Sequence, residues 1–145
     1  MSFEEIRVIT VVYSAVLLPL FIYLRNKSRL PNWVPTFYLV GVVACALGWE
    51  IWFTYGWIDG DSVDIRRSGA LNSWLPKNIN WLLNSMGDAG AVLLGGAWLM
   101  WISHKKDSIV FKKWKWSAFS VLMIWCVGQN ILVEMFLYHD QLAAG

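Results

Sequence analysis

Four long apolar stretches, residues 8–24, 34–57, 79–102 and 116–138, fill most of the chain and hold only three acids and no lysine or arginine. A helix needs about 20 mostly apolar residues to cross the hydrocarbon core of a bilayer. The pattern predicts an all-α, polytopic membrane protein: one domain, residues 1–145, folded as a four-transmembrane-helix bundle. Composition points the same way, with 57% hydrophobic and 15% charged residues, where a soluble domain carries about a quarter charged. Twelve basic and ten acidic residues leave no excess suited to nucleic acid. Cys45 and Cys126 both fall in apolar stretches, so neither a disulfide framework nor a paired-cysteine metal site is expected.

Local signals set the ends of the spans. Pro35 suits the first turn of the second helix, Pro76-Lys77-Asn78 opens the third, and Pro19 suggests a kink that neighbouring helices accommodate. Residues 1–7 lack the basic run and cleavage site of a signal peptide, so the first stretch is read as structure. Lysine and arginine concentrate on cytoplasmic flanks. Eight of them (Arg25, Lys27, Arg29, Lys105, Lys106, Lys112, Lys113 and Lys115) lie at one side, against Arg7, Arg66, Arg67 and Lys77 at the other. Both termini and the long loop 58–78 are therefore expected on the non-cytoplasmic side. The eleven tryptophans read mainly as interfacial belts, with Trp49, Trp52 and Trp125 deeper, packed between helices or lining a cavity.

The three acids of the spans are Glu50, Asp88 and Glu134, one on each of the last three helices. Counting from the helix ends at 1.5 Å per residue, all three fall roughly 6–14 Å below the same interface. Charges in hydrocarbon are costly and usually turn toward the bundle interior or a wet cavity. Helical spacing puts Trp81, Asn84, Ser85 and Asp88 on one face, Asn130, Glu134 and Tyr138 on another, and Glu50, Phe53, Thr54 and Trp57 on a third. Turned inward, these faces make a polar pocket with aromatic walls. Small-residue ridges, Gly41-Cys45-Gly48 and Gly87-Ala91-Gly95, would let the helices approach closely.

Burial disfavours the charged form of a carboxyl group, so such a pocket suits general acid chemistry beside a proton acceptor, with aromatic faces available to a developing cation. Glu50, Asp88 and Glu134 are the candidate catalytic groups; Phe53, Trp57, Trp81, Asn84, Asn130 and Tyr138 are the candidate substrate contacts. The expected ligand is a lipophilic small molecule, isoprenoid-like or sterol-like, held within the lipid bilayer. No cofactor and no metal is expected, since His104 and His139 fall at opposite sides and no phosphate-loop or zinc-protease pattern occurs. Two other readings use the same residues. One is a proton-coupled transporter of a lipophilic cation, built as a homo-oligomer; the other is a non-catalytic accessory subunit whose acids only join helices. Outside the spans, 59–64 reads as a solvated loop, Arg66 and Arg67 as loop arginines able to contact a phosphate or an anionic headgroup, and 112–116 as an anchor to anionic headgroups.

The segment Gly48-Trp49-Glu50-Ile51-Trp52-Phe53-Thr54-Tyr55-Gly56 resembles the aromatic-rich WE motif of the small integral-membrane terpene cyclases of meroterpenoid pathways. That resemblance implies protonation-initiated cyclisation, with Glu50 as the acid and either Asp88 or Glu134 as the second carboxylate. It covers about one helix. Members of that group generally have more than four spans, so the chain is either a reduced relative acting as a dimer or similar in this helix alone. The four-helix sterol isomerase-like group offers a further analogy at the level of fold.

Overall fold

The computed structural model describes residues 1–28, 30–58, 61–62, 67–133 and 135. These are helical apart from their connections and a two-residue antiparallel pairing, β1 (Trp57–Ile58) with β2 (Asp61–Ser62). Among the described residues two helices are long and apolar enough to cross a membrane, Phe3–Asn26 and Lys77–Ser103, and a third if a bent pair counts as one span. Trp116–Leu132 is apolar and shorter. The expected continuation of this last helix to 138 lies, beyond 133 and 135, outside the described residues.

Helix α1 (Phe3–Asn26) begins five residues before its apolar run because a capping box supports the polar first turn. Ser2 Oγ accepts from Glu5 N at 3.2 Å and the Glu5 carboxylate accepts from Ser2 N at 2.7 Å, satisfying two of the otherwise orphaned amides. Pro19 stays within the helix. The second apolar stretch is not one continuous helix. Helix α2 (Val34–Leu47) stops at Gly48, and α3 (Trp49–Tyr55) leaves at an angle of 42°. The third is continuous but not uniform. Helix α5 (Lys77–Asp88) passes into a π-helical segment (Ala89–Leu94) and then α6 (Gly95–Ser103).

This third rod is the axis of the fold. Its α5 half packs against α1, α2 and α3, and its α6 half against α7 (Trp116–Leu132). The expected ridge Gly87-Ala91-Gly95 does not meet a single neighbour. Gly87 faces Ala15 and Gly90 faces Pro19, both on α1, whereas Gly95 lies against the Trp125 indole of α7. The wider π turns between them offset the small-residue face from one partner to the next. Ala91 itself is exposed.

Irregular helices leave backbone carbonyls without their i+4 donors, and lipid offers no water to replace them. Here indoles supply the donors. Trp81 Nε1 donates to Ala46 O at 2.9 Å, just before the α2–α3 break, and Trp125 Nε1 donates to Ala91 O at 3.0 Å within the π segment. Tyr38 OH adds a bond to Met86 O at 3.2 Å. Trp81 is half-buried, its indole tied to the end of α2. Replacing Trp125 with Phe keeps most of the ring and removes the donor. Thermal unfolding in detergent should then show a loss of about 1–3 kcal/mol; an unchanged transition would mean that the Ala91 carbonyl needs no partner.

The described end of the long loop is fastened to α1. Helix α4 (Gly69–Trp74) is capped by Ser68, whose Oγ accepts from Leu71 N at 3.0 Å. Leu71 and Leu75 pack with Val12 in a small core bordered by Val8, Ile9, Tyr13 and Leu83. Tyr13 OH donates to Trp74 O at 3.0 Å, and Ser68 Oγ donates to Glu5. Glu5 lies in the polar turn ahead of the apolar run. The Ser68 hydroxyl, and after it the Ser2 amide, hold its carboxyl below the ordinary glutamate range. Arg67, read from sequence as a loop residue able to contact a phosphate or a headgroup, is 7% exposed. Its guanidinium donates to Leu75 O and, at 2.8 Å, to Asn72 Oδ1, so it serves to fold the loop. Arg66 lies outside the described residues.

Candidate functional site

The break at Gly48 positions the site. Its φ of −84° and ψ of −110° end α2, and a Cβ built there would lie 2.7 Å from the Ala44 carbonyl oxygen. No rotamer relieves that approach, because both atoms belong to or are fixed by the backbone. Glycine permits the turn, and the turn aims the first residues of α3 at α5. Glu50 is consequently buried at 7% exposure, with Thr54, one turn on, at 4%.

On the facing helix Asp88 occupies the last position of α5, immediately before the π segment. It accepts a 2.7 Å hydrogen bond from Trp49 Nε1. Cys45, at 2% exposure, lies on α2 one turn before the break. The two acids thus lie on helices that pack against each other, Glu50 at the start of α3 and Asp88 at the end of α5. Ser85, fully buried, lies one turn before Asp88 and donates to Trp81 O at 2.7 Å. Asn84, half-buried, is on the same stretch of α5.

Toward the loop the same two helices carry an aromatic and polar cluster. Tyr55 and Trp81 meet edge to face with ring centroids 6.2 Å apart. Tyr55 OH donates to Asn78 Oδ1 at 2.8 Å, and Lys77 Nζ stands 5.0 Å from the centre of the Tyr55 ring. Phe53 is 49% exposed on α3. On α7, Asn130 is exposed and its amide donates to Cys126 O of its own helix at 3.0 Å. Glu134 and Tyr138 lie outside the described residues, as does the side chain of Trp57.

Of the residues singled out from the sequence, Glu50, Asp88, Trp81 and Asn84 therefore come from helices in mutual contact. Asn130 sits on α7, which packs on the other half of the axis. Sequence reading placed Trp49 between helices or at a cavity without naming it a site residue, and it missed Tyr55. Trp49 carried a signal, a tryptophan deep in the span and next to an acid, but its partner lies 39 residues away. The chain matches no family model, no curated protein and no solved structure, so the terpene cyclase likeness rests on the one segment 48–56.

Proposed function

We propose that the chain is a multi-pass integral membrane protein whose four apolar segments form a bundle with both termini on the non-cytoplasmic side, and that it acts as an intramembrane acid–base enzyme on a lipophilic, isoprenoid-like substrate. The observation that carries this reading is the burial of Glu50 on a helix packed against the one that ends in Asp88. A buried acid with only a joining role contributes little, about 0.6 kcal/mol on average, and less costly amides would serve as well.

In the proposed reaction Glu50 donates its proton to a substrate double bond, leaving a tertiary carbocation. The faces of Trp81 and Tyr55 stabilise that charge through their quadrupoles. A neighbouring carbon then loses a proton to the Asp88 carboxylate, and a new double bond forms. The product is an isomer of the substrate, open-chain or cyclic. One proton has entered and one has left: Asp88 releases its proton to water and Glu50 takes one up from water, which resets the site. Glu134, from the fourth span, is the alternative acceptor.

Farnesyl acetate presented to the full chain in lipid nanodiscs in D2O tests this. The native chain should release an isomer one mass unit heavier than the probe expects in H2O, with the label on carbon. Glu50→Gln should release none while unfolding at an unchanged temperature. An unaltered probe with the native chain, or equal labelling by the variant, would contradict the reading.

A second reading is favoured by a different observation. Both acids adjoin helix irregularities, the 42° bend before Glu50 and the π segment after Asp88, and broken helices near mid-membrane hold coupling sites in transporters. On this reading the chain exports a lipophilic cation in exchange for protons. Proteoliposomes should then drive tetraphenylphosphonium movement under a pH gradient, and a flat trace would dismiss it.

A further inference from the structure

We infer that the α6–α7 hairpin, residues 104–116, together with Trp33, forms a docking surface for the phosphate headgroups of anionic phospholipids.

The hairpin concentrates positive charge. Lys105, Lys106, Lys112, Lys113 and Lys115 fall within eleven residues, and Asp107 is the only acid between His104 and Trp116. That aspartate is occupied locally, its Oδ1 accepting from Ile109 N at 2.9 Å at the start of the 3-10 turn Ser108–Phe111. Among the described residues no carboxylate is paired with any of the five lysines. Their charge is held in place rather than spread along a flexible tail. Lys105 and Lys106 have φ of 57° and 61°, a left-handed conformation that non-glycine residues adopt at a cost. The turn is secured by Lys106 N to Trp101 O at 2.9 Å, and by His104 Nε2 to Ser117 Oγ at 2.9 Å, which ties the end of α6 to the start of α7.

Beside the amines stands exposed aromatic surface. Trp114 and Trp116 are 65% and 72% exposed. Their rings meet edge to face at 5.2 Å, and Phe119 packs on both. Trp33, ahead of α2, contacts Phe111 of the hairpin at 5.3 Å between centroids. The connection from α1, with Arg25 and Lys27, is thereby joined to the same end of the molecule.

Aromatic rings with a ring of lysines fit the boundary between acyl chains and headgroups, where indoles enter the apolar edge and amines meet phosphate. A free phosphate would match the lysines but leave both indoles wet. The aromatic surface thus selects a lipid, and the lysines select an anionic one.

The test uses the full chain in dodecyl maltoside, titrated with dioctanoyl phosphatidylglycerol, dioctanoyl phosphatidylcholine or inorganic phosphate, with lipid adducts counted by native mass spectrometry. Phosphatidylglycerol should bind at least about ten-fold more tightly than phosphatidylcholine. The triple variant Lys112→Gln, Lys113→Gln, Lys115→Gln should bring the two within about two-fold, and the matching triple arginine variant should keep the preference. Trp114→Ala with Trp116→Ala should weaken both lipids alike. If the triple glutamine variant fails to fold, high salt on the native chain replaces it and should weaken phosphatidylglycerol alone. Equal binding of the two lipids, a preference that survives charge removal and salt, or displacement of lipid by inorganic phosphate would each overturn the proposal. None of these outcomes depends on the reaction proposed for Glu50.

Discussion

Gly48→Ala should destabilise the folded chain, although alanine is the better helix former. In a continuous helix the change would stabilise by about 0.5–1 kcal/mol. In this fold the added methyl group would lie 2.7 Å from the Ala44 carbonyl oxygen. The backbone must open to admit it, at a cost of about 1–3 kcal/mol for an overpacked site, which exceeds the propensity gain. The sign of the change in thermal unfolding thus separates a broken second span from a straight one. The consequence for activity should be larger. Opening the turn re-aims Trp49 and Glu50, and a misplacement of about 1 Å in a reacting group can reduce a rate about a hundred-fold. Label incorporation from D2O should fall by about that factor in Gly48→Ala, well beyond what the lost stability explains. A more stable variant with native turnover would place the break elsewhere.

The features legible in the sequence were those written in local patterns. Apolar runs located α1, α2, α5, α6 and α7, and Pro35 and Pro76 marked helix starts close to where they occur. The acids on separate spans were legible too, because a charge in an apolar run stands out by composition alone. The break at Gly48 and the π segment 89–94 were not. Hydropathy is nearly blind to them, since a bent helix and a straight one bury the same residue types. Each depends on a donor from a distant helix, Trp81 for Ala46 O and Trp125 for Ala91 O. The role of Trp49 was hidden for the same reason. Helical spacing predicted which residues share a face of one helix, but not that α3 would turn Trp49 toward Asp88. Arg67 shows the opposite case: its loop position suggested contact with an anion, whereas its guanidinium is buried on Asn72 and Leu75 O.

Glu50 and Asp88 should act as a unit, and their coupling is the largest effect expected. A positioned acid or base contributes about 10²–10⁴-fold to a rate, so Glu50→Gln and Asp88→Asn should each remove most of the turnover. Two groups serving one proton path are not additive, because the second loss finds nothing left to remove. Trp49, whose indole donates to Asp88 at 2.7 Å, would on this proposal position the same unit, and its replacement should have no further effect once Asp88 is gone.

The decisive measurement is deuterium incorporation into farnesyl acetate by the native chain, by Glu50→Gln, by Asp88→Asn and by the double variant, all in nanodiscs and all checked for native unfolding. A shared proton path requires that the double variant lose no more than the worse of the two single variants. Losses that multiply, or a single variant that turns over normally, would mean that the two carboxylates do not work together.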